Sequence, residues 1–209
     1  MKYKLFLLVL VGLLLTGCGQ NSSRGTGQNT ETPSTESANK TGTTNPFTSD
    51  DNNAAESEAR EPYILTFEAA TIDGEEMTSD IFADSKLTMI NVWATYCNPC
   101  LMEMPDLGEI AAEYDKAEFQ MVGIISDLTA ESDAADITAA KDLIEDTKAA
   151  TYPHLLLNQS LYYNLVGATD SVPTTFFVDQ KGELIGYLVG SQSKDTWVAI
   201  IEDLLAKME

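Results

Sequence analysis

The chain has 209 residues, a length typical of one domain with extensions. It carries 12 Lys and Arg residues against 33 Asp and Glu residues, so its formal net charge is -21. A molecule this acidic repels phosphate backbones and anionic lipid headgroups, so a nucleic-acid partner is not expected.

The first residues have the order of an export signal. Lys2 and Lys4 precede an apolar run over residues 5–15, which is shorter than the about 20 residues that a membrane-spanning helix needs. A Leu-Thr-Gly-Cys sequence ending at Cys18 follows, and it resembles the bacterial lipobox. The resemblance implies that residues 1–17 are a lipoprotein signal peptide and that lipid on Cys18 anchors the protein at the cell membrane, outside the cytoplasm. The alternative is a retained N-terminal helix with an incidental cysteine.

Residues 18–61 are predicted to be a disordered, lipid-anchored tether. They are mostly Gly, Ser, Thr, Asn and Glu, and they cannot bury enough apolar surface to offset the entropy of ordering. A flexible segment of about 40 residues spans roughly 35 Å, which lifts a domain clear of the lipid surface. The Thr- and Ser-rich residues 30–48 could alternatively carry glycans. The folded domain is predicted over residues 62–209.

The apolar pattern of this domain predicts alternating strands and helices. A strand over residues 63–69, a hairpin turn at Asp73-Gly74 and a short helix over residues 79–83 come first. Later strands are predicted over residues 86–93, 119–126, 154–157, 174–178 and 183–189, and later helices over residues 99–114, 133–149, 159–165 and 193–208. This order predicts an α/β, thioredoxin-like fold with a central mixed β-sheet flanked by helices. The helix over residues 133–149 would be an insertion between the β-α-β half and the hairpin-helix half.

A Cys-Asn-Pro-Cys motif lies where the strand over residues 86–93 gives way to a helix. Cys97 would lie at the helix N-terminus, where unpaired backbone N–H groups and the helix dipole favour a thiolate. Cys100 falls one turn further, so its thiol can attack a mixed disulfide formed at Cys97. Pro99 suits the first helical turn, where its missing N–H is no loss. The motif predicts a redox-active disulfide.

Two other interpretations of the cysteine pair are a structural disulfide and half of a zinc site. Zinc is disfavoured because the predicted domain has no second cysteine pair and one histidine, His154, whereas a structural site needs four N or S ligands. A purely structural disulfide would close so short a loop that it would stabilise little. No metal and no cofactor are therefore expected. His154 is interpreted as a surface or satisfied core residue, and Met102, Met104 and Met121 as core packing instead of a copper site.

Two stretches of sequence resemble the extracytoplasmic thioredoxin-like family that includes TlpA and ResA. The first runs from Asn91 to Cys100 and continues with Glu103 and Pro105, and the second is Val-Pro-Thr-Thr at residues 172–175. In the family the proline of the second signature is cis and faces the cysteines, so the resemblance implies that Pro173 is cis. A trans-proline at a strand start is the alternative. The resemblance implies an added-strand contact between substrate and the Val172 backbone, and substrate contacts at Trp93, Tyr96, Asn98, Pro99, Val172 and Pro173.

In the ResA-like branch a glutamate at the position of Glu103 assists proton transfer at the cysteines. A carboxyl group partly buried beside thiols has a raised pKa and can exchange protons with Cys100. The alternative is a solvated acid on a helix that also carries Glu109 and Glu113. Asn91 stands where thioredoxin has a buried aspartate, which favours the catalytic interpretation of Glu103. Tyr96 replaces the tryptophan usual before the first cysteine and keeps an aromatic surface there.

The predicted function is a membrane-anchored thiol-disulfide oxidoreductase that reduces disulfides in exported proteins, acts as a monomer and takes electrons from a membrane thiol carrier of the CcdA/DsbD type. Candidate clients in the family are apocytochrome c, other exported dithiol proteins and methionine sulfoxide reductases. A disulfide-donating oxidase would use the same residues and differ only in reduction potential.

Two further alternatives are less well matched by the motif. A peroxiredoxin needs a Pro-x-x-x-Thr/Ser-x-x-Cys environment, and residues 89–96 supply no such proline. A copper metallochaperone separates its cysteines by three residues, whereas two residues separate them here.

Overall fold

The architecture comes from a computed structural model that describes residues 61–208. The predicted signal peptide, Cys18 and the predicted tether up to Arg60 lie outside the described residues. Within residues 61–208 no helix is both long enough and apolar enough to cross a membrane.

Strands and helices alternate along the described chain. The strands are β1 (Glu68–Ala70), β2 (Glu76–Thr78), β3 (Leu87–Trp93), β4 (Phe119–Ile125), β5 (His154–Leu156), β6 (Thr174–Asp179) and β7 (Leu184–Val189). The α-helices are α1 (Asn98–Glu113), α2 (Ala134–Asp146), α3 (Gln159–Asn164) and α4 (Lys194–Ala206), and short 3₁₀ helices cover Ser79–Asp84 and Val166–Ala168. These bounds follow the predicted ones closely after residue 79.

A five-stranded mixed sheet forms the centre of the fold, in the order β5-β4-β3-β6-β7. Strands β3, β4 and β5 are parallel, while β6 is antiparallel to β3 and to β7. Every residue of β3 is buried, because helices and loops cover both faces of the sheet, and the strand therefore has a nearly continuous apolar sequence. One face packs against α1, α2 and α4, and the other packs against α3 and the Ser79–Asp84 helix. The predicted fold class is confirmed.

Helix α2 lies between the two halves of the fold, at the place predicted for an insertion. It connects β4 to β5, and these strands pair in parallel, with Gly123 opposite His154 and Ile125 opposite Leu156. The insertion therefore consists of α2 and β5. Together with β4 it forms a second β-α-β unit, and β5 is the edge strand of the sheet. A bridge between Thr71 and Leu155 attaches the β1-β2 hairpin to that edge.

The predicted strand over residues 63–69 is wrong for residues 63–67. Strand β1 begins at Glu68, and residues 63–65 instead lie along the start of β7. There the N–H of Leu65 donates to the Gly182 carbonyl at 2.8 Å, and the N–H of Leu184 donates to the Tyr63 carbonyl at 2.9 Å. Leu65 is buried in the sheet's second core, so its apolar character reflects burial and not continuous strand pairing.

Candidate active site

The two cysteines of the motif form a disulfide at the start of α1. Their Sγ atoms are 2.02 Å apart and their Cα atoms 5.3 Å apart. Helix α1 begins at Asn98, and Cys97 is its N-cap residue. The backbone N–H of Cys100 donates to Sγ of Cys97 at 3.2 Å. The strand-to-helix transition predicted from the sequence therefore places Cys97 at the positive end of a helix dipole.

The cysteines differ in their access to solvent. Cys97 is 6% exposed, whereas Cys100 is 0% exposed. An approaching disulfide therefore reaches Cys97 first. In the dithiol form, the N–H of Cys100 and the helix dipole would stabilise a thiolate on Cys97, which makes it the better nucleophile.

Glu103 is a buried carboxyl group one helical turn beyond Cys100. Its Oε1 atom accepts a hydrogen bond from Nδ2 of Asn91 at 3.2 Å, and its Oε2 atom accepts one from the N–H of Gln192 at 3.1 Å. Burial raises the pKa of Glu103 from 4.5 to about 7, and both hydrogen bonds oppose the rise. The interpretation of Glu103 as a solvated acid is wrong, and the carboxyl can take up and release protons near neutral pH.

Asn91 links this carboxyl to the strand that follows Pro173. Its Nδ2 atom also donates to Oγ1 of Thr175 at 3.1 Å. Thr175 belongs to the Val-Pro-Thr-Thr signature, so its place near the site could have been inferred from the sequence. The Gln192 contact could not, because it is made by the backbone and leaves no mark on the residue type.

The Val172-Pro173 peptide bond is cis, as predicted. The carbonyl of Pro173 accepts a hydrogen bond from the N–H of Gly190 at 2.8 Å, which fixes the loop beside β7. Val172 is half-buried and Pro173 is buried. Their contact with substrate stays a prediction.

The predicted substrate contact of Trp93 is wrong, because this side chain is fully buried. Its Nε1 atom donates to Nδ1 of His154 at 3.2 Å. Nδ1 of His154 is therefore the acceptor, so Nε2 carries the proton and donates to the Ala149 carbonyl at 3.0 Å. Burial lowers the pKa of His154 to about 4. The histidine is a neutral core residue with both ring nitrogens satisfied.

Exposed, uncharged side chains lie close to the disulfide in the sequence. Tyr96 is 74% exposed and Met102 is 80% exposed, and Asn98 and Pro99 are also exposed. We name these four residues the neutral rim. The interpretation of Met102 as a core residue is wrong, whereas Met104 and Met121 are buried as predicted. In a chain with a net charge of -21, the rim offers a partner an uncharged contact surface beside Cys97.

No group of three or more His, Cys, Asp or Glu side chains in the described part of the chain is placed to hold a metal ion.

Comparison with known proteins places this site in a family. The profile of the AhpC/TSA family matches residues 63–186. The thioredoxin-like protein YneN of Bacillus subtilis is 31% identical over 130 residues, which cover 61% of this chain and 70% of YneN. The thiol-disulfide oxidoreductase ResA of Oceanobacillus iheyensis is 26% identical over 121 residues, which cover 58% of each chain.

Solved structures share the fold. A thiol:disulfide interchange protein of the thioredoxin family from Chlorobium tepidum has a TM-score of 0.58 and 26% identity, with 69% of this chain and 97% of that chain covered. The pneumococcal exposed lipoprotein thioredoxin Etrx1 from Streptococcus pneumoniae has a TM-score of 0.54 and 24% identity, with 66% and 99% covered. The chain therefore belongs to the AhpC/TSA family and, within it, to the thioredoxin-like thiol-disulfide oxidoreductases of the ResA type.

Proposed function

We propose that the protein is a membrane-anchored, extracytoplasmic reductase of disulfides in exported proteins. The observation that carries the proposal is the arrangement at the start of α1: Cys97 reaches the surface, Cys100 lies beneath it, and the buried Glu103 carboxyl follows one turn later. This order supplies a nucleophile, a resolving thiol and a proton acceptor.

The first step forms a mixed disulfide. The thiolate of reduced Cys97 attacks one sulfur of the client disulfide, so a Cys97-client S–S bond forms and the client S–S bond breaks. The departing client sulfur leaves as a thiolate and takes a proton from solvent. The neutral rim contacts the client around its cysteine.

The second step releases the reduced client. The Cys100 thiol gives its proton to Glu103 and attacks the Cys97 sulfur, which forms the Cys97-Cys100 disulfide and expels the second client thiolate. Two electrons have then passed from the protein to the client. A dithiol on a membrane carrier of the CcdA/DsbD type restores the Cys97-Cys100 dithiol.

The membrane anchor is proposed from the sequence around Cys18. Lipid on this cysteine would hold the domain at the outer face of the cell membrane, where disulfides persist and a dedicated reductant is useful. The similar pneumococcal protein Etrx1 is described as an exposed lipoprotein, which supports the proposal. Proposed clients are apocytochrome c, methionine sulfoxide reductases and other exported dithiol proteins, with the protein acting as a monomer.

A trapping experiment tests the catalytic assignment. A Cys100→Ser variant expressed in the native host lacks the resolving thiol, so Cys97 should accumulate client proteins as mixed disulfides that reductant releases. Cys97→Ser is the matched control and should trap none. If neither variant accumulates partners, the assignment is wrong.

The direction of electron flow is tested by the reduction potential. If the protein is a reductase, its reduction potential, measured by equilibration with glutathione, should lie close to that of thioredoxin, about -270 mV. It should not lie close to that of the oxidant DsbA, about -120 mV. Titration of the reduced protein with hydrogen peroxide and with Cu(I) separates the peroxiredoxin and metallochaperone alternatives. A reductase should show neither rapid peroxide turnover nor tight, specific copper transfer.

A further inference from the structure

A groove with a volume of about 780 Å³ lies beside the edge strand β5. Its walls come from the β1-β2 hairpin, the loop after β4 and the start of α3. Hydrogen bonds hold these walls together: Nδ2 of Asn158 donates to the Glu68 carbonyl at 2.7 Å, and the N–H of Leu157 donates to the Leu128 carbonyl at 2.8 Å. We name it the tyrosine groove after Tyr162 and Tyr163, which line it.

The tyrosine groove lies at the carboxyl end of the parallel strands, which is also the end of the sheet that carries the disulfide. Parallel strands β3, β4 and β5 all end there, with β3 leading to Cys97 and β5 leading to the groove. The N–H of Thr95 donates to Oδ1 of Asp127 at 3.1 Å, which ties the cysteine loop to the loop that leads on to the groove wall. Strands β3 and β5 are two strand spacings apart, about 10 Å. An extended peptide bound at Cys97 would therefore bring residues about three to six positions from its cysteine into the groove, at about 3.4 Å per residue.

The charged side chains that line the groove, as far as the described residues show, are all acidic. Glu68, Glu76 and Glu131 line it, all three are exposed, and none forms an ion pair in the described part of the chain. No lysine or arginine within residues 61–208 lines the groove. The lysines that do form ion pairs pair with acids elsewhere: Lys86, Lys116, Lys141, Lys194 and Lys207. Among residues 61–208, the three groove carboxylates thus have no lysine or arginine paired with them.

The aromatic side chains of the groove add a second basis for recognising cations. The rings of Tyr162 and Tyr163 meet edge to face, with centroids 5.5 Å apart. Both tyrosines are exposed. The face of an aromatic ring attracts the cationic groups of lysine and arginine, and a flanking carboxylate strengthens the site.

We propose that the tyrosine groove binds an extended, positively charged segment of the client polypeptide, close in sequence to the cysteine that Cys97 attacks. The proposal rests on the proposed function and narrows its substrate class to exported proteins with Lys or Arg about three to six residues from the reactive cysteine. Carboxylates at Glu68, Glu76 and Glu131 bind these cations, and the tyrosine rings cover their alkyl chains.

Binding is measured separately from chemistry. The probes are two peptides in which serine replaces the cysteine, one with Lys and Arg at the stated positions and one with Gln and Ser there, titrated against the oxidised full chain. The basic peptide should bind more tightly, and its dissociation constant should rise about tenfold in the triple variant Glu68→Gln/Glu76→Gln/Glu131→Gln. The neutral peptide should be unaffected.

The matched control removes the same charge elsewhere. Asp142→Asn/Asp146→Asn/Glu202→Gln neutralises three exposed acids that line no part of the groove, and it should change the basic-peptide affinity less than about twofold.

Tyr163→Ala should also weaken basic-peptide binding, and Tyr163→Phe, which keeps the ring face, should restore it. Equal effects of the two triple variants, or equal binding of the two peptides, would overturn the proposal. Reduction of a small neutral disulfide by the dithiol protein reports on the proposed function alone, so failure of that function is recognised separately.

Discussion

Glu103 combines burial with hydrogen bonds to both carboxylate oxygens, and its pKa of about 7 suits a group that exchanges protons with a thiol. Replacing it with Gln keeps the shape and removes the titrating group. We expect Glu103→Gln to slow the release of reduced client by about tenfold or more and to remove the inflection near pH 7 from the rate profile. Single-turnover reduction of a peptide disulfide between pH 5 and pH 9 measures both.

The control for this variant is Glu109→Gln on the same helix. Glu109 is exposed and pairs with Lys194 at 3.0 Å, so its replacement should leave the rate profile unchanged. A Glu103→Gln profile that matches the unmodified protein would show that this carboxyl does not handle the proton.

Gly123 is required by the packing of His154. A Cβ atom added at Gly123 would lie 2.3 Å from Nδ1 of His154, and the ring cannot move away because Trp93 and Ala149 hold both of its nitrogens. We expect Gly123→Ala to destabilise the domain by about 1–3 kcal/mol, as measured by urea unfolding. In a double-mutant cycle, His154→Ala should relieve part of this loss. Strictly additive effects would contradict the packing argument.

At the scale of the elements, α1 buries the groups to which the proposed chemistry is assigned and exposes Met102 of the neutral rim. Cys100, Glu103 and Met104 point into the core, whereas Met102 is exposed. Residues two positions apart on a helix lie on opposite faces, so Met102 and Met104 could not both be core residues. Helical geometry alone therefore makes the core interpretation of Met102 incompatible with that of Met104.

The neutral rim should be sensitive to charge at Met102. We expect Met102→Glu to raise the KM for a neutral peptide disulfide severalfold with little change in kcat, because a carboxylate must then be desolvated at the client interface. Met102→Leu keeps an apolar side chain and is the matched control. An unchanged KM for Met102→Glu would place the client contact elsewhere.

Most elements could be predicted from the sequence because their signals are local. The buried strand β3, the turn at Asp73-Gly74 and the helix after Cys97 each follow from residues within a short window. The partners of His154 could not be predicted in this way, since Trp93 is distant in the sequence and meets His154 only when β5 joins the sheet beside β4. The tyrosine groove likewise arises from three separate segments that only the fold brings together.

At the scale of the whole molecule, two buried groups link stability to pH with opposite signs. His154 has a folded pKa of about 4 against an ordinary value of 6.5. Between these values the unfolded chain binds more protons, so His154 makes stability fall as pH drops from 6.5 to 4. Glu103 has a folded pKa of about 7 against 4.5. Between these values the folded chain binds more protons, so Glu103 makes stability rise as pH drops from 7 to 4.5.

The two windows overlap between pH 4.5 and pH 6.5, where the contributions of Glu103 and His154 offset each other. In Glu103→Gln the contribution of His154 is no longer offset. We therefore expect the free energy of unfolding of this variant to fall by about 2–3 kcal/mol as pH drops across this window. In His154→Gln only the contribution of Glu103 remains, so the free energy of unfolding should rise as pH drops. Urea unfolding of the oxidised protein at pH values through the window measures both slopes. If both variants show the same pH dependence of unfolding free energy as the unmodified protein, burial does not shift the pKa values of Glu103 and His154 in this way.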